Sequence, residues 1–340
     1  MFFLYIFFLV VATIIFNKYL IRNKYLVSET GDSHQRFASK MKIPLSGGVL
    51  IFLSFLYFFD QYHWSYFFFA FLILFLGVVS DLKLIKSAKK RLIFQFLIVM
   101  IFIIINDILI VDTRIDVLDE ILNNQFLNYF FVCFCFLIII NGSNFFDGLN
   151  TLNSGYFLLI SSIIIFLQLN ENIASQNLFF KDIIIILSIM FILNFFNKIF
   201  LGDSGSYLLG FVFSLMLINL YKINNNLMSP FFIILLLWYP SFETLFSMIR
   251  KNILNRSPMK PDSNHLHQLI FFYIKKNFFK KALTANLISA NLINLYNLLI
   301  FLISLQFIMD TQIQIILILL NLITYTVIYF KLFVYRYKKL

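Results

Sequence analysis

Four short polar clusters interrupt an otherwise apolar chain, and their residue types suit the binding of a metal ion and a diphosphate. The clusters occupy residues 80–83, 141–150, 200–206 and 262–267. Acids, amides and histidines beside the hydrocarbon core of a membrane are energetically costly, so they usually mark a functional site. We therefore predict that the four clusters meet at one metal and diphosphate site that faces the cytoplasm.

The second cluster places Asn141, Asn144, Asp147 and Asn150 three residues apart. On an α-helix, neighbouring members of such a series share a face. Their carboxylate and amide oxygens are hard ligands that Mg²⁺ accepts, with phosphate and water completing its coordination. The same residues also suit the capping of a helix end, so their spacing leaves a metal site and a structural role open.

The third cluster, around Asp203, leads directly into an apolar segment. Backbone N–H groups at such a helix start attract anions such as phosphate. Asp203 is therefore either a cap of this helix or a Mg²⁺ ligand beside bound phosphates. The sequence around it does not choose between these roles.

The first cluster contains Asp81 and precedes a basic run formed by Lys83, Lys86, Lys89, Lys90 and Arg91. A basic run at a cytoplasmic helix end anchors the topology of a membrane protein. It would also attract a lipid phosphate at the level of the headgroups. The simplest role for Asp81 is that of a counter-charge to these cations.

The fourth cluster contains His265 and His267, which are two residues apart and so share a loop more readily than a helix face. Imidazoles can donate hydrogen bonds to a diphosphate, and no third histidine or nearby cysteine completes a zinc site. Upstream, Arg250 and Arg256 would add bidentate phosphate contacts. Glu243 lies in an apolar segment, where it either orients a neighbouring loop or takes part in the chemistry.

The elements that must position these residues are apolar helices. Of the 340 residues, 61% are hydrophobic and 13% are charged, and the mean hydropathy is +0.88. A soluble protein could not bury so much apolar surface. Because a span needs about 20 apolar residues, we predict an all-α polytopic membrane protein with about 11 transmembrane helices. These begin near residues 1, 44, 64, 92, 126, 153, 181, 205, 230, 282 and 312.

The distribution of positive charge predicts the orientation. If Met1 lies outside, all of the 27 lysines and arginines except Arg114, Lys181 and Lys222 fall inside, as the positive-inside rule requires. The net charge of +11 therefore reflects topology, and no nucleic-acid partner is expected. We predict one membrane domain over residues 1–340, with its C-terminus inside. Residues 251–281 form a cytoplasmic loop whose aromatic and lysine pattern predicts an amphipathic helix in the membrane interface.

Five motifs occur in the order expected of one family, and each is weak alone. They are Ser33-His34-Gln35, the segment 43–48, Asn141-x-x-Asn144-Phe-Phe-Asp147-Gly148, the segment 200–206, and Asp262-x-x-His265-Leu-His267. Together they resemble the polyprenyl-phosphate N-acetylhexosamine-1-phosphate transferases of glycosyltransferase family 4. The resemblance covers roughly residues 33–268.

This resemblance implies an enzyme that transfers N-acetylhexosamine 1-phosphate from a UDP-N-acetylhexosamine to undecaprenyl phosphate and releases UMP. N-acetylglucosamine is the default sugar. The resemblance also implies dependence on Mg²⁺, with Mn²⁺ as an alternative, and a place in the bacterial inner membrane. The reaction would begin the synthesis of a cell-surface polysaccharide of the O-antigen type, and a homodimer is compatible with it.

The family motifs also imply roles for individual residues. Asp203 and Asn144 would bind the metal ion. Phe200 would stack on uracil, Asn150 would lie near the base, and Asn141 would belong to the same substrate-binding set.

The remaining implied roles concern the phosphates. His265 and His267, together with Arg256, would bind phosphate or sugar. Asp81 and Asp147 would be the carboxylates beside the attacking lipid phosphate, so that Asp81, Asp147, Asp203, His265 and His267 form the catalytic set. The lipid phosphate itself would be held by Lys89, Lys90 and Arg91.

Departures from the family pattern bear on mechanism and branch. Ser80 stands where the family has the first aspartate of a pair, which favours direct attack by the lipid phosphate without a base. Asn150 stands where bacterial members often have aspartate, and Gln268 replaces a common third histidine. The phospho-N-acetylmuramoyl-pentapeptide transferase of peptidoglycan synthesis usually has a longer histidine run and is the alternative reading.

Two further classes differ in what they require. A transporter should show inverted repeats and polar groups near the middle of the membrane, and neither is evident. A lipid phosphatase with a nucleophilic histidine would need no nucleotide and would release inorganic phosphate instead of UMP.

Overall fold

The structure, a computed structural model, describes residues 1–28, 42–57, 63–170, 178–253, 255 and 263–337, without the side chains of residues 169, 170, 178 and 179. These residues form fourteen helices and no strand. The helices are α1 (Phe2–Asn23), α2 (Gly47–Phe55), α3 (Trp64–Asp81), α4 (Ala88–Asn106), α5 (Asp116–Leu122), α6 (Gln125–Phe146), α7 (Leu152–Asn170), α8 (Leu178–Phe195), α9 (Gly202–Asn224), α10 (Pro230–Leu236), α11 (Trp238–Ile253), α12 (Leu266–Asn277), α13 (Ala282–Leu305) and α14 (Thr311–Tyr337). The predicted all-α class is confirmed.

The predicted number of about 11 spans is not confirmed. Within the described residues, six helices are long and apolar enough to cross a membrane, namely α1, α3, α6, α9, α13 and α14. A seventh span results if α10 and α11, which meet at a bend of 71°, are counted together. The segment predicted to begin near residue 44 forms α2, whose nine residues extend only about 14 Å. The described helices support a multi-pass membrane protein, and the six or seven spans among them do not confirm the number of about 11.

Helix α9 lies at the centre of the bundle and packs against α2, α3 and α6. Most of its residues are buried. Glycines allow its neighbours to approach closely: a Cβ at Gly48 would lie 2.5 Å from the Gly205 nitrogen, and one at Gly77 would lie 2.3 Å from the Ser204 Cα. Small residues at such crossings are typical of helix packing in membranes. The first turn of α9 is therefore fixed against α2 and α3.

The C-terminal helices form a second layer around the bent pair. Helix α11 packs against α6, and α12 packs against α13 and α14. Helix α12 buries Leu266, His267, Leu269 and Phe271 and exposes Lys275 on its other face. Helix α12 lies within residues 251–281 and has one buried and one exposed face, and the cytoplasmic loop with an amphipathic helix in the membrane interface stays a prediction.

At the C-terminal end of α9, the side chain of Arg114 connects the segments that follow the helix. Its guanidinium donates to the backbone oxygens of Asn225, Met228 and Met309 and to Thr311 Oγ1, at 2.8–3.1 Å. One side chain thus joins the segments after α9 to the start of α14. The polar clusters predicted to bind substrate lie at the other end of α9.

Candidate active site

The site begins at the first turn of α9, where Gly202 has a φ of 71°. The two carboxylate oxygens of Asp81, at the end of α3, accept the backbone N–H groups of Asp203 at 2.8 Å and Ser204 at 3.1 Å. A Cβ at Gly202 would lie 2.7 Å from Asp81 Oδ2, so both the backbone angle and the contact require glycine there. Asp81 therefore supplies from another helix the cap that α9 lacks.

Asp203 does not cap its own helix. Its Oδ2 accepts hydrogen bonds from Ser80 Oγ at 2.5 Å and from Arg91 Nη1 at 2.8 Å. Arg91 also donates to Ser80 Oγ at 2.6 Å. A neutral hydroxyl at position 80 can donate to Asp203, whereas an aspartate there would repel it. The serine that departs from the family pattern thus has a definite role in this chain.

Asp147 follows α6 and reaches the same turn of α9. Its Oδ2 accepts the Ser206 hydroxyl at 3.0 Å. The side chain of Asn153 donates to Ser206 Oγ at 3.3 Å and to the Ser143 carbonyl at 2.9 Å. Burial raises the pKa of Asp147, and the negative charges of Asp203 and Asp81 raise it further. The structure therefore brings three acids to one helix start, as the sequence predicted.

The histidine loop lies beside Asp147. His267 is fully buried, and its Nε2 would be 2.5 Å from a Cβ at Gly148. Neither ring nitrogen of His267 has a hydrogen-bond partner among the described residues, and burial lowers the pKa of His267 to about 3. The ring of His265 stacks on that of His267 with centroids 5.7 Å apart. His267 is thus a neutral, buried group next to the acids, and both of its ring nitrogens lack a partner among the described residues.

His265 is oriented by a buried carboxylate. Its Nδ1 lies 2.8 Å from Glu243 Oε1, and the ring lies 5.6 Å from that of Phe145. Glu243 is 1% exposed and also accepts the Tyr325 hydroxyl at 2.8 Å. Of the two roles left open for Glu243, these contacts favour the orientation of a neighbouring loop.

Three predicted substrate-binding residues have structural contacts of their own. Asn150 donates to the Asn194 carbonyl at 3.1 Å and to Asn197 Oδ1 at 2.5 Å. Asn141 donates to Gln95 Oε1 at 2.8 Å, which joins α6 to α4. The backbone of Phe200 pairs with Pro44 at 2.9 Å and Gly47 at 3.0 Å, and its side chain is partly exposed. Their predicted contacts with the nucleotide stay predictions.

The predicted basic residues divide into three groups. Arg91 contacts Asp203, and Lys89 and Lys90 are exposed at the start of α4. Arg250 donates to the Asn264 carbonyl at 2.8 Å and to the Tyr329 hydroxyl at 2.7 Å, so it holds the residues before His265. Arg256 lies outside the described residues, as do Asp262 and the Ser33-His34-Gln35 motif.

The residues present fit a hydrated divalent cation better than a closed metal site. Among the described residues, no three histidine, cysteine, aspartate or glutamate side chains are grouped as a complete ligand set. Mg²⁺ commonly takes only one or two carboxylates and completes its shell with water and phosphate. Asp81, Asp147 and Asp203 supply hard oxygens, and Arg91 pairs with Asp203. Asn144 is partly exposed, one turn before Asp147.

Lys251 is a further candidate for a functional residue, although the sequence indicated only that its charge contributes to the topology. It is 4% exposed, and its Nζ lies 5.9 Å from the centre of the Phe145 ring. Glu243, Ser247 and Lys251 are all buried and recur every four residues along α11. Polar residues that recur at helical spacing within an apolar segment could have predicted this buried polar face of α11 from the sequence.

Comparison with known proteins adds an independent line of evidence. Residues 63–221 match the model of glycosyl transferase family 4. The chain is 32% identical over 215 residues to a probable undecaprenyl-phosphate N-acetylglucosaminyl 1-phosphate transferase of Bacillus subtilis, covering 60% of this chain and 57% of that protein.

Two further relatives have related names. The chain is 27% identical over 233 residues to the undecaprenyl-phosphate alpha-N-acetylglucosaminyl 1-phosphate transferase of Thermotoga maritima, covering 67% of each. It is 32% identical over 149 residues to the decaprenyl-phosphate N-acetylglucosaminephosphotransferase of Mycolicibacterium smegmatis, covering 38% of this chain and 37% of that protein. The family match over residues 63–221 covers just under half of the chain and contains Asp81, Asp147 and Asp203, so the acids of the candidate site lie in the part that is similar to this family.

Proposed function

We propose that this protein transfers N-acetylglucosamine 1-phosphate from UDP-N-acetylglucosamine to undecaprenyl phosphate and releases UMP. The observation that carries the proposal is the meeting of Asp81, Asp147 and Asp203 at the start of α9, next to Arg91. Acids that would hold a divalent cation, next to a guanidinium, suit the binding and transfer of a phosphoryl group. The names of the three relatives supply the sugar, and the names of two of them supply undecaprenyl phosphate.

In the proposed reaction, an oxygen of the lipid phosphate attacks the β-phosphorus of the UDP-sugar. A new P–O bond forms, the bond from that phosphorus to the bridging oxygen breaks, and UMP leaves with that oxygen. A phosphate monoester is largely ionised near neutral pH, since its second pKa is about 6. No base is needed to create the nucleophile, which agrees with a serine at position 80.

Several side chains would position the reactants. The exposed Lys89 and Lys90 at the start of α4 would attract the lipid phosphate at the membrane surface. Arg91 would exchange its contact with Asp203 for one with phosphate. His267, neutral and without a hydrogen-bond partner among the described residues, would donate to the donor diphosphate or sugar.

Asp203 and Asn144 are the residues that we propose to hold Mg²⁺, or Mn²⁺ in its place. When bound, such an ion neutralises the negative charge that develops on the leaving UMP. The proposal also includes a site on the cytoplasmic face, an N-terminus outside, a homodimer, and a role in starting a cell-surface polysaccharide.

The test is UMP release by the purified protein with UDP-N-acetylglucosamine, undecaprenyl phosphate and Mg²⁺. Asp203→Ala and Asp203→Asn should lose at least about a hundredfold in turnover because a charged ligand is removed. Asp107→Asn is a matched control, since Asp107 accepts hydrogen bonds from Tyr129 and Gln125, away from Asp81, Asp147 and Asp203. Near-normal turnover of Asp203→Ala would exclude the metal assignment, and no UMP release by the wild type would exclude the transferase.

A further inference from the structure

The last helix, α14, contacts the histidine loop directly. In its final turns, Arg336 donates to the Ser263 carbonyl at 2.5 Å and to the Ser263 hydroxyl at 3.1 Å. The neighbouring Tyr337 hydroxyl donates to Asn264 Oδ1 at 2.7 Å. The guanidinium of Arg336 also lies 4.0 Å from the centre of the Phe272 ring in α12. These contacts fix the backbone immediately before His265.

A second connection reaches His265 through Glu243. The Tyr325 hydroxyl of α14 donates to Glu243 Oε2, and Glu243 Oε1 lies opposite His265 Nδ1, both at 2.8 Å. Tyr325 is 2% exposed, Glu243 1% and His265 6%, so little water competes for these hydrogen bonds. In a buried network of this kind, the members can together contribute more stability than their single deletions suggest.

The chemical effect of this connection is on the orientation of His265. A carboxylate that accepts from Nδ1 fixes the tautomer and the plane of the imidazole. The Nε2 atom of His265 is then the one left to contact a ligand. The His265 ring stacks within 13° of parallel on the ring of His267, and His267 lies against Gly148, next to Asp147. The geometry of both histidines therefore depends on where Glu243 is held.

We propose that α14 is a positioning element of the active site, in which Tyr325 acts through Glu243 on His265 and Arg336 acts through the backbone before it. The described hydrogen bonds of Tyr325 and Arg336 join them to Glu243 and to the backbone and side chain of Ser263, rather than to Asp81, Asp147 or Asp203, so both act as positioning residues. The identity of the ligand that His265 and His267 bind rests on the proposed function, whereas the positioning itself does not.

The experiment compares Tyr325→Phe with Tyr296→Phe. The Tyr296 hydroxyl donates to Asn321 Oδ1 of α14 at 2.5 Å, so both variants lose one tyrosine hydrogen bond at this helix. Only Tyr325 is connected to the histidines. A third variant, Arg336→Gln, tests the second connection.

The first readout is amide hydrogen exchange in the ligand-free protein, which needs no activity. We expect residues 263–270 to exchange about tenfold faster in Tyr325→Phe and Arg336→Gln, and at the wild-type rate in Tyr296→Phe. The second readout is transfer. We expect the KM for UDP-N-acetylglucosamine to rise about five- to tenfold in Tyr325→Phe, with kcat within about twofold of wild type.

The two readouts separate the two proposals. Wild-type exchange in Tyr325→Phe, or equal acceleration in Tyr296→Phe, would overturn the positioning role whatever the activity. Wild-type KM and kcat in both Tyr325→Phe and Arg336→Gln would overturn the effect of this positioning on transfer. If the wild-type protein transfers no sugar phosphate, the proposed function fails, and the exchange rates still decide whether α14 positions the loop.

Discussion

The carboxylate of Asp81 accepts the backbone N–H groups of Asp203 and Ser204, which follow it by more than 120 residues in the chain. A carboxylate at a helix N-terminus satisfies N–H groups that have no partner within the helix and interacts favourably with the helix dipole. Asp81 thus does for α9 what a capping residue does locally. It also occupies the anion-binding position that the sequence suggested for phosphate.

Substitution of Asp81 should affect stability as well as activity. We expect Asp81→Ala to lower the free energy of unfolding by about 2–3 kcal/mol, because two N–H groups lose a charged acceptor. Asp81→Asn keeps one acceptor oxygen, so its free energy of unfolding should lie between those of the wild type and Asp81→Ala. Thermal unfolding in detergent, measured beside UMP release, checks this. A fully stable but inactive Asp81→Ala would show that Asp81 acts in catalysis alone.

Arg91 should compete with a metal ion for Asp203, because its Nη1 lies 2.8 Å from Asp203 Oδ2. We expect Arg91→Gln to lower the Mg²⁺ concentration for half-maximal turnover by about two- to fivefold, the range of a partly exposed ion pair, and to raise the KM for the lipid acceptor. Titration of Mg²⁺ at saturating UDP-sugar measures this. Lys90→Gln, whose side chain is exposed, should raise the acceptor KM and leave the Mg²⁺ dependence unchanged.

Two glycine substitutions should separate a packing effect from a binding effect. A Cβ at Gly77 would lie 2.3 Å from the backbone of Ser204, whereas one at Gly148 would meet the end of the His267 side chain at 2.5 Å. We expect Gly77→Ala to cost about 1–3 kcal/mol of stability, because two helices must separate. Gly148→Ala should retain most of its stability and lose affinity for the UDP-sugar. Equal unfolding temperatures for the two variants would contradict this distinction.

The stability of the protein should decrease at mildly acidic pH through His267. Burial lowers the pKa of His267 to about 3, whereas an imidazole in the unfolded chain titrates near its ordinary value of about 6.5. Between these values the unfolded state binds a proton that the folded state does not, so stability falls as pH falls below about 6.5. By pH 5 the loss from this group is about 2 kcal/mol.

His267→Gln provides the control for that prediction. We expect the difference in unfolding free energy between pH 7 and pH 5 to be smaller in this variant by about 2 kcal/mol. Chemical unfolding in detergent at the two pH values measures the difference. An identical pH dependence in both proteins would mean that His267 is not buried as a neutral group.

The convergence of the site could be predicted from the sequence because apolar helices and the positive-inside rule place polar clusters at helix ends on one face. Asp147, Asp203 and His267 lie together as this argument required. The hydrogen-bond partner of each polar group could not be predicted in this way. Ser80 and Asp203, or Glu243 and His265, meet through the packing of separate helices, and no local spacing encodes such pairs.

The predicted number of spans is not confirmed, for a related reason. Hydropathy measures apolar content along the chain, and it does not reveal where a helix ends. Helix α2 is too short to cross a membrane by itself, α4 begins with Lys89, Lys90 and Arg91, and α10 and α11 meet at a sharp bend. The structural contacts of Asn150 could not be predicted either, because they are made with Asn194 of α8 and Asn286 of α13.

The pairing of Asp81 with α9 has a consequence for biogenesis. A ribosome working at about 5–20 residues per second needs roughly 6–24 s to add the residues between Asp81 and its partners. Throughout that interval the acidic end of α3 and the glycine faces of α2 and α3 are already made, and the helix that covers them has not yet emerged. Until α9 is made, the carboxylate of Asp81 and these glycine faces therefore lack the partners that the folded structure gives them.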